Sequence, residues 1–408
     1  MCALDGSHPW ARFTSSDPTL MTWTAADTNF VVGVDPANIT SYGAALFHKI
    51  PGAGSGPSRP THMINANSGS QFYVGRYDSK KELLTRVGRR QTLDYSDNFV
   101  WAAAGTNGPD PEADTGRLLL IAWVRGGGNG RLPCGVTGAE HSCPNLLSLV
   151  RSVSWDTTAN QLVSFPVVEL ETLRNTTYVH DKSLSLAAGA SHTLSIPAPG
   201  GGAADILASF ALSAGVHGFG VSVRSGDVKV QVTSVTPSKT HAGGFSVTVA
   251  FNSGPQPCVS VRGQPRCTAP PSVPPPTNAT VLVAPGETLD IRILVDRPVV
   301  EMFVNKGRAA FVSADANFSV TKTAVALFNR GTAAVQASNV SAFGMGCGWA
   351  KTKPSPSRRD DGVANSIAAS LSATLASKTD DHKAAWPMQR GMHFLCATIA
   401  FDDVCAQF

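Results

Sequence analysis

The chain has 408 residues, of which 42% are hydrophobic and 15% are charged, and its formal net charge at pH 7 is +4. This length and composition predict a folded protein with room for two domains, and they exclude a disordered chain. The weak charge, without a run of Lys or Arg among aromatic residues, excludes a nucleic-acid-binding protein. No window of about 18 apolar residues occurs, so we expect no membrane-spanning helix.

The N-terminal residues, MCALDGSHPWARF, have neither a basic start nor an apolar core, so the sequence as written is expected to lack a signal peptide. Asn-x-Ser/Thr sequons nevertheless indicate a secretory origin, although chance also produces some of them. Their asparagines are Asn38, Asn175, Asn278, Asn317 and Asn339.

Short strands separated by Gly, Pro, Asn and Asp fill the chain from Phe13 to about Leu173, and helical periodicity is nearly absent there. The clearest are THMINA, SQFYVGRYD, NFVWAAAG and RLLLIAWV. Strands that recur between frequent turn signals predict a sandwich, a barrel or a propeller.

Cys134 with Cys143, and Cys258 with Cys267, each close a short loop rich in Gly or Pro. Both pairs are short enough to form disulfides, and the alternative is partly buried thiols that do not pair. Neither pair has the spacing of a zinc knuckle, so no metal is expected.

The segment LSLVRSVSWDTTANQLVSFPVVELETLR, from Leu147 to Arg174, predicts a β-hairpin and a closing segment. Hydrophobic residues alternate up to Trp155, residues 156–160 supply turn chemistry, and Leu162 starts the return strand. We therefore expect Arg151 to lie on the first strand of a hairpin.

After a hinge at RNTTYVHDK, about a dozen further strands follow one another, as a β-sandwich needs. The proline-rich GPQPCVSVRGQPRCTAPPSVPPPT is predicted to be a surface loop rather than a strand pair. The chain beyond Cys347 is predicted to be mostly disordered. The expected domains are therefore 1–176, 177–347 and a tail at 348–408.

Several of these segments resemble glycoside hydrolase family 32, which comprises the invertases and fructan hydrolases. The family has a serine-x-x-arginine strand and then a tryptophan/phenylalanine-proline-x-x-glutamate-x-x-x-leucine-arginine closure, and this pattern is present between Ser148 and Arg174. RLLLIAWVRGG, LDYSDNFVWAAAG and VDRPVVEMFVNKGRAAFVS also resemble family segments, with Ala122, Ser96 and Trp101 as departures. The resemblance spans about residues 13 to 346.

The resemblance implies an all-β fold, a partial five-bladed β-propeller followed by a β-sandwich. It implies hydrolysis of β-fructosidic bonds in sucrose or a fructan through a covalent fructosyl-enzyme, without metal or cofactor. It also implies a secreted or vacuolar protein. Oligomeric state and the choice among sucrose, levan and inulin are left open.

The resemblance also suggests substrate-binding residues, and each has a structural alternative. Asp94 and Tyr95 match a sugar-contacting segment, but Asp94 is equally suited to accept backbone N–H groups in a turn. Trp123 either gives a sugar ring an apolar face or packs at a strand end. Arg151 either orders active-site carboxylates or pairs with a neighbouring aspartate. Glu301, on the sandwich hairpin, is expected to close the domain interface, as are Asp296 and Arg308.

The catalytic carboxylates of the family are not recognisable in this sequence. Retaining hydrolysis needs two of them about 5–5.5 Å apart. The nucleophile motif cannot be placed, and Asp17, in SSDPTLMTW, is a weak candidate because that segment better resembles a strand upstream of the acid/base. In that register Gly43 stands where the acid/base glutamate belongs, and a glycine has no proton to give the leaving group.

The sequence therefore predicts a family 32 homologue whose own activity is impaired or absent. Either the gene product is truncated or it is a decayed paralogue, and Gly43 favours decay. The alternatives are a non-catalytic carbohydrate-binding or regulatory homologue, and a sandwich module whose propeller part does not fold.

Overall fold

The computed structural model describes the chain in separate stretches. These are residues 12–19, 21–26, 30–34, 47–54, 56, 58–66, 70–96, 104–106, 117–125, 132–133, 142–143, 145–197, 202–252, 260–261, 264–265, 276–314 and 322–346. The chain divides into two units, Met1–Gly346 and Cys347–Phe408. The predicted tail, 348–408, lies outside the described residues, as do Gly43, Cys134, Cys258 and Cys267.

Strands make up most of the described residues, and the all-β class is confirmed. The 3-10 turns among these residues are Val168–Leu173 and Arg224–Gly226. No helix in the stretches described is long and apolar enough to cross a membrane.

Among the described residues of the first unit, sixteen short strands precede the 3-10 turn at 168–173. They are β1 Arg12–Thr14, β2 Thr24–Ala26, β3 Val31–Val32, β4 Phe47–Lys49, β5 His62–Asn65, β6 Gln71–Asp78, β7 Leu83–Arg86, β8 Gln91–Thr92, β9 Ala104–Thr106, β10 Leu118–Ile121, β11 Trp123–Arg125, β12 Leu132–Pro133, β13 Ser142–Cys143, β14 Asn145–Leu147, β15 Arg151–Asp156 and β16 Gln161–Pro166. One sheet has the order β3-β7-β6-β5-β4, with β8 also on β6, and a second has the order β16-β15-β10-β9. Four antiparallel strands in the second sheet are what one propeller blade requires.

The predicted hairpin is confirmed as β15 and β16, which pair from Arg151↔Pro166 to Asp156↔Gln161. Asp156 forms the turn, because its Oδ1 accepts the backbone N–H groups of Thr158 and Ala159. Asn160 completes the turn at a φ of 52°, a left-handed conformation that asparagine tolerates. The turn sets the pairing register of β15 and β16, and this register determines which β15 side chains face inward.

The second part of the first unit is a β-sandwich. Its strands are β17 Arg174–Leu186, β18 Ser191–Leu194, β19 Ala203–Phe210, β20 Phe219–Val223, β21 Val228–Pro237, β22 Phe245–Asn252, β23 Ser260–Val261, β24 Gln264–Pro265, β25 Thr277–Val283, β26 Leu289–Asp296, β27 Val299–Val304, β28 Ala309–Ala314, β29 Val325–Asn329 and β30 Val335–Met345. The inner sheet has the order β17-β30-β19-β26-β27-β28, and the outer sheet has the order β18-β29-β20-β21-β22-β25.

The sandwich core follows from alternation along the strands. In β21 the residues Val228, Val230 and Val232 are fully buried, while Lys229 and Gln231 between them are half-buried. β22 and β25 repeat the pattern, and their inward residues join one large apolar cluster with those of the inner sheet. The second face of the inner sheet is therefore left to contact the propeller part.

The proline-rich loop departs from its prediction. Ser260–Val261 and Gln264–Pro265 form a short antiparallel ladder. Two residues, one of them Gly263, separate the strands, and a connection of that length with glycine suits a tight hairpin. The prediction of a loop without a strand pair was therefore wrong at this point.

Candidate functional site

The interface hairpin, β27 and β28 with their turn (Val299–Ala314), packs against the last propeller blade and the segment before it. The backbone N–H of Tyr95 donates to the carbonyl of Ala310 at 2.9 Å, and the N–H of Val312 donates to Ser96 Oγ at 3.0 Å. The N–H of Ser164 donates to the carbonyl of Gly307 at 3.4 Å. The sandwich thus completes hydrogen bonds that the propeller strands would otherwise leave open.

Apolar contacts accompany these hydrogen bonds. Phe303 of β27 is fully buried, and its ring lies 5.6 Å from that of Phe165 in an edge-to-face arrangement. Leu149 packs into the same cluster, and Val312 joins the core of the propeller part. The two folds therefore share hydrophobic contacts in two clusters.

Arg151 lies at the centre of this contact, with no exposed side-chain surface. Its Nη1 donates to Asp94 Oδ2 at 2.8 Å, and its Nε and Nη2 donate to Glu301 Oε2 at 2.9 and 2.5 Å. It alternates with the buried Val153 and Trp155 along β15, so the strand register itself carries the guanidinium into the core. A buried arginine requires such carboxylate partners.

Each carboxylate of this cluster accepts three hydrogen bonds. Asp94 Oδ1 accepts the backbone N–H of Ser96 at 3.0 Å and also its hydroxyl, and Glu301 Oε1 accepts the N–H of Leu149 at 2.6 Å. Burial raises the pKa of Asp94 and of Glu301 above their ordinary values, although Arg151 acts in the opposite direction. We call Asp94, Arg151 and Glu301 the buried ion cluster. It is a closed arrangement that holds two segments of the propeller part to the sandwich.

A second ion cluster lies at the turn of the interface hairpin. Arg308 donates to Asp156 Oδ2 at 2.6 Å, and to Glu287 at 2.5 and 3.1 Å. Burial alone would raise the pKa of Asp156 and of Glu287, but hydrogen bonds from Arg308 and from backbone N–H groups outweigh it and lower both. The turn of the β15–β16 hairpin is thereby tied to the sandwich as well.

The predicted site residues do not all come together. Asp94 and Arg151 meet in the buried ion cluster, which favours their structural alternatives, a turn carboxylate and an ion-pair partner. Tyr95 packs against Phe311 of the sandwich, with ring centroids 5.9 Å apart, and burial raises its pKa. Trp123 instead lies on the surface, 43% exposed, and is paired across β11 and β14 with the exposed Leu147.

Asp17 caps a local turn. Its carboxylate accepts the hydroxyl and the backbone N–H of Thr19 at 2.6 and 2.8 Å, and further N–H groups from Met21 and Thr22. These hydrogen bonds, chiefly those from Thr19, hold the pKa of Asp17 at about 2. Such a group stays ionised and cannot serve as a general acid near neutral pH.

The sequence analysis missed Ser96 and Asp205. Ser96 bridges Asp94 and Val312, and the Asp-x-Ser spacing typical of a side-chain turn was the available signal. Asp205, fully buried on β19, accepts hydrogen bonds from Arg174 and Arg292 at 2.7–3.0 Å. It anchors the segment that enters the sandwich. Asp205 lies on the face of β19 that points away from the sandwich core, and this charged residue in a mostly buried strand was the only sign of its role.

Comparison with known proteins identifies the sandwich. Residues 169–343 match the family model described as Glycosyl hydrolases family 32 C terminal. No curated protein matches the chain in sequence. The resemblance noted in the sequence is thus confirmed for this part of the chain.

Solved structures share the fold of the longer region. Fructan 1-exohydrolase IIa from Cichorium intybus is 19% identical, with 82% of this chain and 66% of that chain covered and a TM-score of 0.60. A variant of it, solved in complex with 1-kestose, has a TM-score of 0.57. Exo-inulinase from Aspergillus awamori is 16% identical, with 83% and 62% covered and a TM-score of 0.54. The chain therefore spans less than two thirds of the length of these structures.

Proposed function

We propose, from the premise that this chain carries the C-terminal domain of glycoside hydrolase family 32, that it is a β-fructofuranosidase-type homologue without turnover of its own. The family reaction is hydrolysis of β-fructosidic bonds in sucrose or fructans by a pair of carboxyl groups. The structures of similar fold are a fructan exohydrolase and an exo-inulinase, which supports a fructoside as the carbohydrate partner. A secreted or vacuolar location and the two disulfides belong to the same proposal.

The observation that carries the proposal is the buried ion cluster. Of the carboxylates that the resemblance assigned to the site, Asp94 is sealed and bound to Arg151, and Asp17 is held ionised in a turn. The carboxylate that shares Arg151 with Asp94, that of Glu301, is buried as well, so this pair is closed to a sugar. Together with Gly43 at the acid/base position, this leaves no assigned proton donor.

Fructose release from sucrose, 1-kestose, inulin and levan by the purified chain tests the proposal. We expect none above the buffer blank, because glycine stands at the assigned acid/base position and no nucleophile motif can be placed. Asp17→Asn is the diagnostic variant. Fructose release by the wild type that disappears in Asp17→Asn would show that Asp17 is a catalytic carboxylate and would refute the proposal.

A second candidate function, carbohydrate binding without turnover, is favoured by the exposure of Trp123. A tryptophan ring on the surface beside Leu147 offers an apolar face of the kind on which sugar rings stack.

Trp123→Ala is expected to weaken 1-kestose binding about tenfold, because the stacking surface is lost. A titration followed by nuclear magnetic resonance measures the dissociation constant. The matched control is Trp23→Ala, which removes another exposed tryptophan and should leave the constant unchanged. Equal effects of the two variants, or no 1-kestose binding by the wild type, would remove this candidate.

A further inference from the structure

Three sequons lie within the described residues, at Asn175, Asn278 and Asn339, and each asparagine is exposed. They differ in what surrounds them. Asn339 Nδ2 donates to Ser209 Oγ at 3.5 Å, and its sequon hydroxyl, on Ser341, is buried and accepts the N–H of Asp181. The amide of Asn175 lies beside Gly344 and Gly346.

The sequon at Asn278 presents both of its reactive side chains on the outer sheet of the sandwich. Asn278 and Thr280 are both exposed, while Ala279 between them is buried in the sandwich core. Residues two apart on a strand share a face, so the acceptor amide and the sequon hydroxyl project together from the outer sheet. Neither side chain makes a hydrogen bond to any residue that the structure describes. β25 is moreover an edge strand, and none of the strands that the structure describes pairs with its open side.

The surface beside Asn278 is mainly polar and almost uncharged. The outer face of β20, β21, β22 and β25 carries Gly220, Ser222, Lys229, Gln231, Thr233, Ser234, Thr236, Ser246, Thr248, Ala250, Asn252, Asn278, Thr280 and Leu282. Lys229 is the one charged residue among these. We call this surface the hydroxyl face.

The strand register places a row of cross-strand neighbours, two of them small, next to Asn278 on the hydroxyl face. Asn278 pairs with Ala250, Ala250 with Gln231, and Gln231 with Gly220. Neighbouring strands lie about 4.8 Å apart, so small side chains flank Gln231 across three strands. Thr248 and Thr280 form the adjacent row.

Two hydroxyls of this face are oriented by their own sheet. Thr233 Oγ1 donates to the carbonyl of Thr248 at 3.2 Å, and Thr236 Oγ1 donates to that of Ser246 at 3.3 Å. Each hydroxyl donates its proton to the sheet, so its oxygen lone pairs remain as acceptors. A face with hydroxyl acceptors and a single charged residue among those named complements a ligand rich in hydroxyl donors.

We infer that Asn278 is an attachment site for N-linked carbohydrate, and that the attached chain lies along the hydroxyl face. In the transfer, the bond between the anomeric carbon and a lipid-linked diphosphate breaks. A bond from that carbon to Asn278 Nδ2 forms, the amide loses one proton, and the diphosphate is released. This inference rests on the secretory route included in the proposed function.

Site occupancy tests the attachment. The full chain is expressed behind a cleavable signal in a eukaryotic secretory host, and carbohydrate is removed with an amidase that converts the modified asparagine to aspartate. Mass spectrometry of the peptides should show aspartate at Asn278 in the wild type and in Thr280→Ser, which keeps the sequon, but not in Thr280→Ala. An unmodified Asn278 in the secreted protein overturns the inference, whether or not Asn175 and Asn339 are modified. The fructoside proposal is judged separately, by fructose release and 1-kestose binding.

Labelling of Lys229 tests the covering of the face. Its amine should react several-fold more slowly with an acylating reagent in the glycosylated protein than in Thr280→Ala, since the carbohydrate lies beside it. Lys182, on β17 of the other sheet, is exposed and should react equally in both. Equal rates at Lys229 would show that the attached chain extends away from the face, and would overturn that part of the inference.

Discussion

Arg151→Met is expected to lower the free energy of unfolding by about 3–5 kcal/mol at neutral pH, because it leaves two buried carboxylates without their partner. Asp94 and Glu301 are at most 1% exposed, so water cannot replace the guanidinium. Chemical denaturation of the purified variant measures the loss. No other single substitution in the buried ion cluster leaves two like charges facing each other.

The exposed pair of Arg117 and Glu169 supplies the control. Its side chains are 34% and 57% exposed, and Arg117→Met should cost no more than about 1 kcal/mol. A loss in Arg151→Met no larger than this would contradict the account of the buried ion cluster.

The pH dependence of Arg151→Met gives an independent signature. Without Arg151, burial and the nearby carboxylate are opposed only by the hydrogen bonds from Ser96 to Asp94 and from Leu149 to Glu301, so the folded-state pKa values rise further above the unfolded values of about 4. Carboxyls with a raised folded-state pKa contribute stability below the unfolded pKa, and this contribution is lost as pH rises through the folded-state pKa. The deficit of the variant should therefore shrink on acidification toward about pH 4. A deficit that is the same at acid and neutral pH would count against two buried, unpaired carboxylates.

Gly307→Ala is expected to lower the free energy of unfolding by about 2–5 kcal/mol. Gly307 has a φ of 86°, and a Cβ placed there would overlap the backbone carbonyl of Ser164. The variant has to strain the turn and also move the interface hairpin away from β16. Thermal unfolding should show the loss, and limited proteolysis should show earlier cleavage between the two folds.

Gly286→Ala separates the two causes. Gly286 has a φ of 80° and nothing within 4 Å of the Cβ position, so its substitution adds conformational strain alone, about 1–2 kcal/mol. If Gly307→Ala is no more destabilising than Gly286→Ala, the close approach to Ser164 does not matter for stability.

Local patterns in the sequence predicted the local structure well. Alternation placed the hairpin of β15 and β16, since Asp156 and Asn160 specify its turn. The same alternation indicated the sandwich, in which β21, β22 and β25 bury every second residue over most of their length. These features depend on neighbours in the chain, which a single sequence displays.

Features that depend on distant residues were not predictable in the same way. The hairpin strand was expected to begin at Leu147, but β15 begins at Arg151. Ser148 Oγ accepts the backbone N–H of Ala122, and the backbone N–H of Leu149 donates to Glu301, 152 residues away. At these two residues, contacts with distant parts of the chain take the place of pairing with β16. Arg151 had two equal interpretations because its partners, Asp94 and Glu301, lie 57 and 150 residues away. The resemblance to a known family suggested Glu301 as an interface residue, but not its partner.

Carboxyl labelling of the native protein tests the central claim, that Asp94 belongs to a closed join between two folds rather than to an open sugar site. A carbodiimide with a small amine, followed by mass spectrometry, reports which carboxyls are accessible. Asp94 and Glu301 should stay unlabelled until the protein is unfolded, whereas the exposed Asp78 and Glu169 should react at once. Labelling of Asp94 in the native protein that 1-kestose suppresses would contradict the account.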